Sequence, residues 1–222
     1  MTMNIIINKE EHLFLQTQLI QSIQIGSHLY GTNNEYSDTD FLCIYKTSDV
    51  ELHSGLPNFH QFQYKDVENN IDWNYCSELQ FWKNLQSGDA TINADIVLFT
   101  ELYNKKLEIC RTYKTIKAYL GFAKRDLKDV KKDVNRKLIH AARGLYCAES
   151  LINNELPTKL EIQKIYSKTL NTEELINKEK KLRTKTNELY DSNQLSNYYI
   201  EKCNHTLWQK LLDSNNTKEF RY

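Results

Sequence analysis

Two hydrophobic periodicities divide this chain, and the change from one to the other falls near residue 105. Ahead of it, short helical and strand patterns are mixed. Lys9–Gln21 sets Leu13, Leu15, Leu19 and Ile20 among polar residues, which predicts an amphipathic helix. Ser22–Ile25 reads as a short apolar strand and Gly26–Asp38 as a polar loop. Asp40–Lys46 is a run of β-branched and aromatic residues suited to a buried strand. Phe59–Lys65 alternates with a period of two. So does Ile71–Tyr75, with Ile71, Trp73 and Tyr75 on one face and Asp72 and Asn74 on the other. At Ser77 the order Ser-Glu-Leu-Gln fits a capping box that opens a helix. Asn93 is placed to cap a further short helix through Phe99. From Thr112 onward the spacing is helical: Thr112–Val130, Asn135–Asn153, Lys159–Leu170, Thr172–Tyr190 and Leu195–Leu212, with Pro157 punctuating one break. The pattern predicts an α+β fold. A mixed sheet with flanking helices over 1–105 leads into a helical segment over 106–222.

Composition narrows the function classes. Lys and Arg number 29 and Asp and Glu 29, so net charge is zero. That argues against a globally basic nucleic-acid coat and leaves only a focused basic groove open. Fourteen Tyr, 8 Phe and 3 Trp supply bulky core material, and Trp73, Trp82 and Trp208 read most simply as core. Six Gly and 2 Pro argue against long linkers and a many-turned all-β fold. The five cysteines stand singly with no CxxC pair. That argues against a zinc site and suits a reducing, cytoplasmic setting. The N-terminal residues do not read as a signal peptide, and no apolar run approaches the ~18 residues of a membrane span, so no membrane partner is expected.

One segment carries chemistry: Ile25-Gly26-Ser27-His28-Leu29-Tyr30-Gly31-Thr32, then Ser37-Asp38-Thr39-Asp40-Phe41-Leu42. Gly26 has no Cβ, so its backbone can approach a phosphate closely. Ser27 can donate a hydroxyl to a phosphate oxygen. Asp38 and Asp40 stand two apart at a strand start and point to the same side. Two carboxylates held together repel unless a cation sits between them. A hard Mg²⁺ ion suits that position, with nucleotide phosphates completing its shell. A third carboxylate from a neighbouring strand would complete a two-ion arrangement, and Asp72 is the candidate. His28 reads more simply as a solvent-facing loop residue. Tyr30 either packs beneath the loop or touches substrate.

Gly-Ser, a loop, Asp-x-Asp and a later strand Asp resemble the nucleotidyltransferase fold of the polymerase-beta-like superfamily. Gly-Ser-x-x-Tyr-Gly-Thr before Ser-Asp-x-Asp is most similar to the RNA-repair-associated (RNA-ligase-associated) nucleotidyltransferases. Asn135-Arg136-Lys137-Leu138-Ile139-His140-Ala141-Ala142-Arg143-Gly144-Leu145 and Asn154-Glu155-Leu156-Pro157 resemble the same family, over about residues 20–190. The resemblance implies that Gly26 and Ser27 contact the triphosphate of an NTP such as ATP. It implies that Asp38 and Asp40 bind Mg²⁺ (or Mn²⁺), and that Asp72 shares a metal and activates the attacking hydroxyl. Lys137, His140 and Arg143, at three-residue steps, form a slowly drifting cationic stripe that could hold a triphosphate or an RNA phosphate. The chain departs from the family pattern in the bulky, polar Trp73-Asn74-Tyr75-Cys76 and after about residue 195.

The expectation is a nucleotidyltransferase that moves an NMP from an NTP to a hydroxyl and releases pyrophosphate. The acceptor the resemblance implies is an RNA end, such as that of tRNA. A protein Tyr or Ser, or a small molecule, is chemically equivalent at this site. Two rivals stand beside it: a non-catalytic nucleotide- or RNA-binding module that acts by sequestration, and a protein-adenylylating enzyme of the antitoxin type. The intact Asp38, Asp40 and Asp72 set argues against the first. The long helical half argues against the second.

Overall fold

The computed structural model describes residues 3–54, 60–88, 91–129 and 134–197. Elements run β1 (Met3–Ile6), α1 (Lys9–Thr17), β2 (Leu19–Gln24), α2 (Ser27–Tyr30), β3 (Thr39–Tyr45), α3 (Asp49–Ser54), β4 (His60–Asp66) and β5 (Ile71–Ser77). Helices follow: α4 (Glu78–Ser87), α5 (Thr91–Phe99), α6 (Lys106–Cys110), α7 (Tyr113–Lys128), α8 (Val134–Ile152), α9 (Lys159–Tyr166) and α10 (Thr172–Asp191). The five strands form one mixed sheet in the order β1-β4-β5-β3-β2. β3 and β5 are parallel, while β2 and β4 are antiparallel to β3 and β5 respectively.

Residue alternation along β3 sorts the two faces of the sheet. Leu42 and Ile44 enter the larger core, with Phe81, Ile96, Ile116, Leu120, Leu145 and Leu151 from the helices. Cys43 and Tyr45 face the other way, toward a smaller cluster with Ile7, Tyr75 and Leu15 of α1. Asp40 shares its parity with Leu42 and Ile44, and Asp72 with Asn74 and Cys76. Both carboxylates therefore belong to the face covered by the helices, at the end where β3 and β5 begin. The larger core runs across residue 105 without a break, from Ile23 of β2 to Leu182 of α10. Among the described residues, no helix is long and apolar enough to cross a membrane.

Several local expectations change. The first helix stops at Thr17 rather than Gln21, because Leu19 already pairs with Tyr45 across the β2–β3 ladder. Its start is fixed by a capping box in which Asn8 Oδ1 accepts from the Glu11 amide at 3.0 Å and Glu11 Oε2 from the Asn8 amide at 2.8 Å. The loop after β2 holds one short helix, α2. At Ser77 only half of the expected box forms. Ser77 Oγ accepts from the Gln80 amide at 3.2 Å, but Gln80 is buried and its Oε1 has no partner, so it does not reach back. Ser77 Oγ instead donates to the buried Glu51 at 2.6 Å. Asn93 is not a cap: its Nδ2 donates to the Phe81 carbonyl at 2.9 Å and ties α5 to α4. Of the helix expected over Leu195–Leu212, everything from residue 198 lies outside the described residues.

Candidate active site

The site is built where β2 hands over to α2 beside the start of β3. The Ile25 amide donates to the Asp40 carbonyl at 2.8 Å, so the chain leaves the sheet at Asp40. Gly26 then adopts φ 64°, ψ −140°, and Ser27 opens α2. A Cβ on Gly26 would lie 2.9 Å from Asp40 Oδ2. Backbone and carboxylate meet there with no room for a side chain, in a conformation other residues rarely take. Gly26→Ala is therefore expected to cost about 1–3 kcal/mol and to push the Asp40 carboxylate aside. A shift in the denaturant midpoint reads the first effect, and an unchanged midpoint would contradict this geometry.

Asp40 and Asp72 are direct partners in the parallel β3–β5 ladder, and Asp38 precedes Asp40 by two residues. The Asp40 carboxyl is raised from its ordinary value by burial first, then by the charges of Asp38 and Asp72; Lys65 and His28 oppose the rise. Asp72 is mostly buried and forms an ion pair with Lys65 Nζ at 3.2 Å. Lys65 faces it directly across the β4–β5 ladder. Among the described residues, no three His, Cys, Asp or Glu side chains converge closely enough to hold an ion as they stand. The donors are carboxylate oxygens only, the type that a hard divalent cation such as Mg²⁺ or Mn²⁺ would take, and the central one is destabilised as an anion by burial and then by its neighbours.

α2 is held from behind by a buried polar network. Tyr30 Oη donates to Asp95 Oδ2 at 2.6 Å, and Tyr119 Oη to Asp95 Oδ1 at 2.7 Å. Gln163 of α9 donates to the Tyr30 and Gly31 carbonyls at 3.1 and 3.3 Å. The Arg143 guanidinium lies over the Tyr30 ring, 4.5 Å from its centroid, and 5.6 Å from that of Phe122. Tyr30 thus packs beneath the site.

Lys137, His140 and Arg143 of α8 part company. Only Arg143 leans on α2. Lys137 Nζ lies 3.2 Å from Oδ1 of the buried Asp126, His140 Nδ1 lies 3.6 Å from its Oδ2, and Arg125 joins from α7 at 3.3 Å. Burial, then the charge of Arg143, pushes the His140 imidazole down to about 4 despite Asp126. His140 beside Asp126 is therefore a neutral contact, not an ion pair. As pH falls from 6.5 toward about 4, the unfolded chain binds a proton that folded His140 refuses, so stability falls in that window. Between pH 7 and pH 5 this amounts to about 1–2 kcal/mol. His140→Gln should lose less melting temperature than the wild type over the same interval, and equal losses would contradict the assignment.

Three participants escaped the sequence reading. His28 is half-buried rather than solvent-facing, and its Nε2 is buried without a protein partner. Lys65 was hidden in a strand pattern. The turn at Asp66–Asn70 is the signal that could have found it, since a hairpin there pairs Lys65 with Asp72. Asp95 sat inside an apolar helical run with nothing local to mark it. Compared with known proteins, the chain matches no family model and no curated protein.

Proposed function

We propose that the chain is a metal-dependent nucleotidyltransferase of the polymerase-beta-like type, with an RNA end as acceptor. The observation that carries this reading is the juxtaposition of Asp40 and Asp72 as ladder partners, with Asp38 beside them and the Gly26–Ser27 turn in contact with Asp40. Asp38, Asp40 and Asp72 would hold a Mg²⁺ or Mn²⁺ ion, which when bound supplies positive charge against a triphosphate and eases ionisation of the acceptor hydroxyl.

The chain's own residues have separate tasks. Gly26 keeps the backbone open to phosphate oxygens, and Ser27 donates its hydroxyl to one of them. The acceptor oxygen bonds to the α-phosphorus. The bond from that phosphorus to the bridging oxygen breaks, and pyrophosphate leaves with the electron pair. The acceptor's proton passes to the Asp72 carboxylate, which lies closest to the exposed Lys65 ammonium. Arg143, packed on Tyr30, supports the loop from the helical half, whereas Lys137 is held at Asp126.

The test incubates the protein with each α-labelled NTP, Mg²⁺ or Mn²⁺ and bulk tRNA, beside an Asp38→Ala/Asp40→Ala control. Label that moves to RNA and is lost in the control is the expected result, and it identifies the base. Label that moves only to polypeptide would replace the RNA acceptor with a protein one. One observation favours a second reading, a nucleotide-binding module that acts by sequestration: Lys65 already neutralises Asp72 at 3.2 Å. Metal-dependent nucleotide binding with no transfer to any acceptor would select it.

A further inference from the structure

We propose that His28 is a substrate-contacting residue of this site, its Nε2–H donating a hydrogen bond to a phosphate oxygen of the bound nucleotide. The proposal deepens the nucleotidyltransferase reading and rests on it. His28 is the second residue of α2, next to Ser27 and two residues after the glycine that touches Asp40. Its side chain is half-buried, and Nε2 is shielded from solvent with no hydrogen-bond partner in the protein. Buried polar atoms are paired in the great majority of cases, and leaving one unpaired costs about 1–3 kcal/mol. A histidine that only packed would turn that atom toward a carbonyl or to solvent.

The surroundings decide what the partner is. His28 lies close enough to Asp40 to act on its charge, and so do Asp38 and Asp72. Another acceptor on the protein side would add to the repulsion among three carboxylates, so the useful role here is that of a donor. The Nε2–H of the imidazole ring provides it. The complementary ligand atom is an anionic oxygen brought in with a cation, which is a phosphate oxygen. The acceptor hydroxyl is the poorer match, because it would meet Asp72 on β5 rather than the first turn of α2.

Three variants separate the roles of the two ring nitrogens. Glutamine places an amide N–H near the position of Nε2, asparagine places one near Nδ1, and alanine offers neither. The probe is inorganic tripolyphosphate, which needs no choice of base, with the four NTPs and their nucleosides alongside, each with Mg²⁺, measured by calorimetry. His28→Ala is expected to weaken tripolyphosphate and NTP binding about tenfold or more, and His28→Asn to match it. His28→Gln should stay within about threefold of the wild type. Nucleoside binding should not change.

Equal binding by all four proteins would overturn the proposal. So would a loss shared by Gln, Asn and Ala together with a matching fall in melting temperature, which is the signature of a packing role. A wild type that binds neither tripolyphosphate nor any NTP would sink the nucleotidyltransferase reading itself, and this inference with it.

Discussion

Asp40→Asn is expected to abolish transfer and to make the protein more stable. The substitution keeps the shape of the side chain and removes its charge. On the proposed function, loss of metal charge stabilisation worth several kcal/mol corresponds to at least about a 10³-fold fall in rate. The stability effect runs the other way. Burial first, then Asp38 and Asp72, raise the Asp40 carboxyl in the folded chain. A raised folded-state value means that the protonated form favours folding. That contribution is present below the ordinary carboxylate range and is lost as pH climbs through the raised value. At neutral pH the ionised group opposes folding, and the amide does not. Initial rates and thermal unfolding at pH 7 check both arms. An active variant with a lower melting temperature would mean that Asp40 serves the sheet and not the chemistry. The opposition between the two effects is the usual mark of a site that holds like charges together for a purpose.

Asp95→Ala should be the most destabilising change outside the apolar core. Asp95 is almost wholly buried and accepts hydroxyls from Tyr30 and Tyr119, which are themselves buried. Truncation strands both hydroxyls and leaves Arg143 over Tyr30 without the nearby carboxylate that compensates its charge. Removing one partner from such a set costs about 3–5 kcal/mol. In a chain of this size each kcal/mol lowers the melting temperature by about 2–4 °C, so a drop of about 10 °C is expected. Asp95→Asn keeps an acceptor for one hydroxyl and should cost less than half as much. Urea unfolding of the two variants reads the difference. If alanine and asparagine were equivalent, the tyrosine hydroxyls would not depend on this carboxylate.

The apolar pattern carried most of the fold. The mixed sheet with flanking helices, the parity of Ile71, Trp73 and Tyr75 against Asp72, and four of the later helices lie within a few residues of their expected positions. What escaped was decided by tertiary contact. β1, at the sheet edge, forms only because β4 is there to pair with. Leu19 and Ile20 suit a helix and a strand equally, and the β3 ladder chose the strand. At the site, Gly26, Ser27, Asp38 and Asp40 were legible because one short segment holds them all. Asp72 needed a register. Lys65 and Asp95 needed the folded chain, because their partners come from other elements. His28 misled because a polar loop suggests exposure, whereas the short helix turns its ring inward.

Asp40 and Asp72 stand on hydrogen-bonded neighbours, and that has a bearing on how such a chain can diverge. The ladder fixes the spacing of their strands at about 4.8 Å, whatever the length of the segment that joins them. Residues can be inserted or lost between the end of β3 and the start of β4 without touching that spacing. A single-residue slip of β5 would instead swing Asp72 to the opposite face. Lineages of this fold should therefore vary in length ahead of β4 while the count from Asp66 to Asp72 stays constant, and that stretch is where an insertion scan should find no tolerance.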